Sequence, residues 1–142
     1  MQFDLLGSLT LMLSFTSLFL LILGIPLVRN LKNVENFKRH GYLTIQALIV
    51  QTILVFMIMI PSFTARFSAI LSLSSFPALD TWLHICLGVA AEVTGFAYVV
   101  TWVAFSPSKM QCLRFRKYMM PTFIIWIIAL VTGALIYLLQ LF

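Results

Sequence analysis

The chain has 142 residues, of which 62% are hydrophobic and only 9% are charged, with 9 Lys and Arg against 4 Asp and Glu. A soluble domain carries about 45–50% apolar and about 25% charged residues. The few charged side chains here could not cover a water-soluble globule, and the apolar residues fall in four blocks near the roughly 20 residues that cross a bilayer as a helix. The sequence therefore predicts a polytopic membrane protein and leaves no room for a soluble catalytic or nucleic-acid-binding domain.

Four membrane spans are predicted in chain order, over residues 5–28, 41–60, 81–105 and 119–142. In lipid a backbone must satisfy its own hydrogen bonds, and these blocks lack the alternating polarity of a barrel strand. The start, MQFDLLGSLTLMLSF, has no basic region and no small-residue cleavage site, so we interpret it as a retained span and not a signal peptide. The expected fold is all-α: one membrane domain of residues 1–142, a bundle of four antiparallel transmembrane helices.

The longest loop, residues 61–80, joins the second and third predicted spans. Its apolar residues fit a short helix lying in the membrane interface, and a plain connecting loop fits equally well. These residues are Phe63, Phe67, Ile70, Leu71 and Leu73.

The distribution of Lys and Arg predicts the orientation of the spans. The N-terminal tail, the three loops and the C-terminus carry 0, 4, 1, 4 and 0 of these residues. The positive-inside rule places the first and third loops in the cytoplasm, so both termini should face outward from the cell membrane. The basic loops then lie beside anionic lipid head groups, and nucleic acid is not needed to explain the net charge.

Four polar residues are predicted near the middle of the spans. An ionised glutamate there costs about 2.5–3.5 kcal/mol, so Glu92 is expected to be protonated and to donate to Gln51 or to a hydroxyl. Spans one and four place threonines at this depth. The predicted cluster is Glu92, Gln51, Thr16 and Thr132. Hydrogen bonds of this kind hold helices together in membranes, which is one interpretation of the cluster. The other is that Glu92 handles a proton or binds a ligand.

One face of the third span carries small and aromatic residues at spacings of three, four or seven. Small residues let another helix, or a flat cofactor, approach the backbone closely, and helix packing is the commoner use. The face comprises His84, Gly88, Ala91, Gly95, Tyr98 and Trp102.

The two histidines open different spans at opposite membrane faces. About 30 Å of helix separates His40 from His84 in depth, so one haem iron cannot bind both in one chain. Met57 and Met59 lie near the depth of His84, and His with Met, with Cys86 as a further candidate, would suit copper or a low-spin haem. His84 and His40 are the candidate metal ligands, and the alternatives are apolar filling for the methionines, an interfacial anchor for His84 and a head-group contact for His40.

Enzymatic activity is not expected from this chain. Neither histidine has an acidic partner at the spacing that a nucleophilic triad needs. The sequence also has no phosphate-cradling glycine loop, no HExxH and no CxxC.

Three segments, KRHGYLTIQALIVQ, HICLGVAAEVTG and KYMMPTFIIWIIALVTGALIYLL, carry a family resemblance. Residues 25–140 resemble a family of small four-span prokaryotic membrane proteins. The matching features are a histidine that opens span two, a histidine that opens span three, and a closing run with Trp126, Thr132, Gly133 and Tyr137. That family includes CtaM-type cytochrome oxidase maturation proteins, which have further histidines that this chain lacks. The resemblance implies a non-enzymatic helper of a respiratory membrane complex.

Three functions are therefore in view from the sequence. The first is an accessory or assembly protein that contacts a larger membrane complex, such as a haem–copper oxidase. The second is a haem- or copper-binding protein for electron transfer or metal delivery, centred on His84. The third is a small transporter or channel subunit. That function needs a polar pathway across the membrane, which isolated polar side chains at one depth do not form.

Overall fold

The computed structural model describes residues 5–29, 34–72, 76–104 and 109–141, and all of these are helical. The elements are α1 (Leu5–Arg29), α2 (Val34–Leu54), a π-helical turn (Val55–Met59), α3 (Ile60–Ser72), α4 (Phe76–Ala104) and α5 (Lys109–Leu141). Four stretches of these helices are long and apolar enough to cross a membrane: Gly7–Leu27, Glu35–Ala65, Ala78–Ala104 and Lys117–Tyr137. The predicted all-α, four-span membrane fold is confirmed.

The second membrane helix continues through Pro61 into α3, although the sequence analysis ended span two at residue 60. Proline lacks an N–H, and its ring clashes with the carbonyl four residues earlier in a regular helix. The preceding turn widens into the π-helical turn, where the Ile60 N–H bonds the Val55 carbonyl five residues back. A wider turn of this kind absorbs such a disruption without ending the helix. Residues 60–72 are thus helical, while the placement of this helix in the membrane interface stays a prediction, and Leu73 lies outside the described residues.

The helices pack as two antiparallel pairs, α1 with α2 and α4 with α5, and the pairs meet mainly where α2 contacts α4. Gly41 at the start of α2 lies against the Trp102 ring near the end of α4. This contact places the first half of α2 beside the last turns of α4.

The core of the bundle is small and lies where α2, α4 and α5 meet. Leu48, Ala91 and Trp126 form a buried cluster, and Gly95 lets the Leu48 side chain and the Trp126 ring approach α4. Large apolar side chains elsewhere face outward; the Val93 side chain, for example, is 62% exposed. In lipid such exposure is favourable, because the hydrocarbon solvates these side chains.

Candidate functional site: polar contacts inside the bundle

Glu92 forms a hydrogen bond between the two helix pairs. The Thr52 hydroxyl of α2 donates to Oε1 of the Glu92 carboxyl on α4, and both side chains are partly buried. The sequence predicts that Glu92 donates to an amide or a hydroxyl, and the partner is a hydroxyl, that of Thr52. Since a helix places consecutive side chains about 100° apart, Thr52 faces α4 while its neighbour Gln51 is directed elsewhere.

Gln51 does not join Glu92; of the two predicted partners, an amide or a hydroxyl, the hydroxyl bonds the carboxyl. The Ala47 carbonyl of α2 accepts a hydrogen bond of 3.1 Å from the Ser17 hydroxyl of α1. Gln51 is four positions after Ala47 and therefore lies on the same side of α2, the side that faces α1. The Gln51 Oε1 atom is buried and has no hydrogen-bond partner in the part of the chain that the structure describes. A buried amide oxygen without a donor is costly, which makes this atom an unexplained feature of the bundle.

Thr16 is not part of a shared cluster either. Its hydroxyl donates to the Met12 carbonyl of its own helix at 2.8 Å, a bond exposed to the bilayer. This is the ordinary way in which a threonine satisfies its hydroxyl within a helix. The neighbouring Ser17, fully buried, provides the contact between α1 and α2.

His84 joins α4 to α5. Its Nδ1 lies 2.7 Å from the Ala129 carbonyl oxygen and 3.4 Å from the Thr132 hydroxyl. The ring lies against Gly133, where an added Cβ would be only 2.7 Å from the ring carbon Cε1. Thr132 therefore belongs with His84. Glu92 is eight residues further along α4, about 12 Å away along the axis, so the single polar level predicted from the sequence is not formed.

His40 makes the equivalent contact between α2 and α1. Its Nδ1 is 3.0 Å from the Gly24 carbonyl oxygen, and an added Cβ on Gly24 would lie 2.8 Å from the same nitrogen. The side chain is partly buried. The interpretation of His40 as a solvated head-group contact is corrected, because the absence of a side chain at Gly24 lets the ring pack directly on the backbone of α1. The two histidines lie in different helix pairs, and they do not share a site.

The predicted grouping of His84 with Met57 and Met59 stays a prediction. Met57 and Met59 lie in the π-helical turn, and the Met57 side chain is 74% exposed. His84 directs its ring toward α5. Within the described ranges no group of three or more His, Cys, Asp and Glu side chains could hold a metal ion. Cys86 has an exposed side chain.

Two polar residues that the sequence analysis did not single out lie inside the bundle. Thr52 holds the Glu92 carboxyl, and Asp80, near the start of α4, is only 5% exposed. The Asp80 Oδ2 atom has no hydrogen-bond partner among the residues that the structure describes. A signal was present for Thr52, since it neighbours Gln51 at the depth of Glu92. For Asp80 the sequence shows only an acidic residue at a span boundary, two residues before Trp82.

The contact between His84 and Gly133 is open to a double-mutant test. Gly133→Ala should destabilise the protein by about 1–3 kcal/mol, because the new methyl group would overlap the imidazole ring. In a His84→Ala background the same change should cost less than about 0.5 kcal/mol. The measurement is reversible unfolding in mixed detergent micelles, and equal costs in both backgrounds would contradict the packing described for this ring.

Three ionisable side chains within the membrane spans thus make contacts between helices at separate positions. His40 joins α1 to α2, Glu92 joins α2 to α4, and His84 joins α4 to α5. These arrangements can orient an imidazole or hold a carboxyl, and they form no row of groups across the membrane. No protein-family model, no curated protein and no solved structure matches the chain.

Proposed function

We propose that the protein is an integral membrane accessory or assembly protein that acts by contacting a larger membrane complex. The observation that carries this proposal is the use of both histidines and Glu92 in contacts between the protein's own helices. Groups engaged in this way hold the bundle together and supply no nucleophile, triad or transport pathway. What the chain offers to other molecules is its apolar outer surface.

The resemblance to CtaM-type maturation proteins suggests the identity of the complex, a haem–copper respiratory oxidase. The segments that carry the resemblance coincide with the contacts between helices. HICLGVAAEVTG contains His84 and Glu92, and the closing run contains Gly133, on which the His84 ring packs. A shared bundle architecture would explain why these positions are alike.

The test combines affinity purification with deletion. The tagged chain, purified from its native membrane in a mild detergent, should retain subunits of a haem–copper oxidase. Deletion of the chain should lower the amount of assembled oxidase, measured by its haem spectrum, without lowering the amounts of other respiratory complexes. Unchanged oxidase in the deletion strain would contradict the proposal.

A second candidate, haem or copper binding at His84, is favoured by the geometry of the imidazole. Its Nδ1 lies at hydrogen-bond distance from the Ala129 carbonyl, so a neutral ring donates from Nδ1 and keeps the lone pair of Nε2. Metal-binding histidines commonly have this arrangement. The ring would therefore be oriented for a metal, with Met57 and Met59 as the further ligands proposed from the sequence.

Both termini are proposed to face outward from the cell membrane, because the Lys and Arg residues concentrate in the first and third predicted loops and such residues concentrate on the cytoplasmic side of membrane proteins. Two of them, Lys38 in α2 and Lys117 in α5, are exposed in the structure. A phosphatase reporter that is active only outside the cytoplasm should be active when fused to the C-terminus and inactive in the α4–α5 loop. The reverse result would contradict this orientation.

A further inference from the structure

Gly88 of α4 differs from the other glycines whose surroundings the structure gives. Gly24 and Gly133 each lie under a histidine ring, Gly41 lies under the Trp102 ring, and Gly95 receives Leu48 and Trp126. A Cβ added to Gly88 would meet no atom within 4 Å. Gly88 is on the same face of α4 as Ala91 and Gly95, which pack inside the bundle, so this face opens into a gap at Gly88.

The gap lies beside the π-helical turn of the second membrane helix. The contacts of Thr52 with Glu92 and of Leu48 with Gly95 fix the antiparallel register of α2 against α4. Gly88 lies four residues before Glu92. Because α2 runs antiparallel to α4, the residue at the same depth on the second helix is four positions after Thr52, within the Val55–Met59 turn. No residue of this turn is fully buried, and none of its atoms lies within 4 Å of a Cβ added at Gly88.

Glu92 lies one helical turn from Gly88 on the adjoining part of the same face. Its carboxyl is only partly buried, and Thr52 donates to Oε1. A carboxyl group in the hydrocarbon region is protonated, because ionisation there is costly. The protonated carboxyl and the Thr52 hydroxyl have two protons between them and share one hydrogen bond, so one O–H still needs an acceptor. Gln51 does not supply one, since its Oε1 has no hydrogen-bond partner among the described residues.

We propose that the gap at Gly88 binds a flat, lipid-soluble molecule that bears a carbonyl or hydroxyl oxygen, and that the Glu92 carboxyl donates a hydrogen bond to that oxygen. The missing side chain at Gly88 admits a ring or an isoprenoid chain against the backbone of α4. The carboxyl supplies the polar contact that fixes its position. This is the usual design of a small-molecule site, a mainly apolar recess with one or two placed polar groups. The proposal does not depend on the accessory role proposed above.

The test uses the full chain in phosphatidylcholine nanodiscs, with decyl-ubiquinone as the probe and decylbenzene as a probe that lacks an acceptor. Decyl-ubiquinone should bind saturably at about one per chain, and the infrared band of one quinone carbonyl should shift to lower frequency, as hydrogen bonding weakens the C=O bond. Decylbenzene should show only unsaturable partition. Unsaturable partition of both probes would overturn the proposal.

Three variants locate the site. Gly88→Leu fills the gap and should weaken quinone binding at least about tenfold, whereas Ala90→Leu, on the exposed side of the same helix, should leave it unchanged. Glu92→Leu should abolish the carbonyl shift, and Glu92→Gln, which keeps a donor, should retain it in part. Should Gly88→Leu fail to fold, Gly88→Ala gives the graded version, with several-fold weaker binding expected. Equal affinity in the Gly88 and Ala90 variants, or an unchanged shift in Glu92→Leu, would refute the site.

Discussion

Trp126→Ala should destabilise the bundle by about 3 kcal/mol or more, the largest effect expected of any single truncation. The indole is 6% exposed and packs where α2, α4 and α5 meet, with Leu48 and Ala91 as its buried neighbours. Association of helices in lipid depends on packing contacts, and removing this ring takes them from three helices at once. Reversible unfolding in mixed detergent micelles, followed by circular dichroism, measures the loss.

A lipid-facing residue of the same helix provides the control for Trp126→Ala. The Val131 side chain is 62% exposed, so Val131→Ala should change stability by less than about 0.5 kcal/mol. If both truncations cost the same, Trp126 would not be the centre of the core.

Gly41→Val should also be strongly destabilising, by about 2–3 kcal/mol. The Trp102 ring lies directly over Gly41, and even a single added carbon would overlap the ring carbons Cζ2 and Cη2. The ring cannot move freely, because it also contacts Phe37 and Tyr42 edge to face, with ring centroids 6.4 and 6.2 Å away. We expect α2 and α4 to separate at this end of the bundle, with a lower midpoint in the same unfolding measurement.

The matched control for this contact is Gly88→Val in α4, where no atom lies within 4 Å of the added Cβ. Both changes place a β-branched residue in a membrane helix, so their difference isolates the overlap with Trp102. Trp102→Leu should also relieve part of the cost of Gly41→Val. An equal cost at both glycines would contradict the close approach of α2 and α4.

The four spans and their antiparallel order could be predicted because they follow from hydrophobic length and from the charges of the loops, which are local properties of the sequence. The continuation of the second helix through Pro61 could not, since a proline ordinarily marks the end of a helix. Only the backbone shows that the Val55–Met59 turn widens to accommodate it. Composition does not reveal a π-helical turn.

The polar contacts were predicted less well, because depth in a span does not determine direction around a helix. The sequence placed Glu92, Gln51 and Thr132 at one level, and the structure directs each toward a different neighbouring helix or partner. A rotation of about 100° between Gln51 and Thr52 decides which of them meets the carboxyl. The angular position of one helix against another depends on packing across the bundle, which a single sequence does not contain.

The histidines illustrate the same limit. Their residue type and membrane depth suggested a metal ligand at His84 and a head-group contact at His40. The glycines that receive their rings, Gly133 and Gly24, are far away in sequence, 49 and 16 positions from their histidines. Pairing each histidine with its glycine requires knowing how the two helices are aligned against each other.

The central claim is that the protein works by contact with a membrane complex and carries no redox centre of its own. The most direct test is a visible absorption spectrum with metal analysis on the single chain, purified gently and separated from its companions. We predict a spectrum without a Soret band and less than about 0.1 copper or iron per chain, the same for the wild type and for His84→Ala. A haem or copper signal near one per chain that His84→Ala abolishes would contradict the account and establish His84 as the centre of a redox or metal-delivery protein.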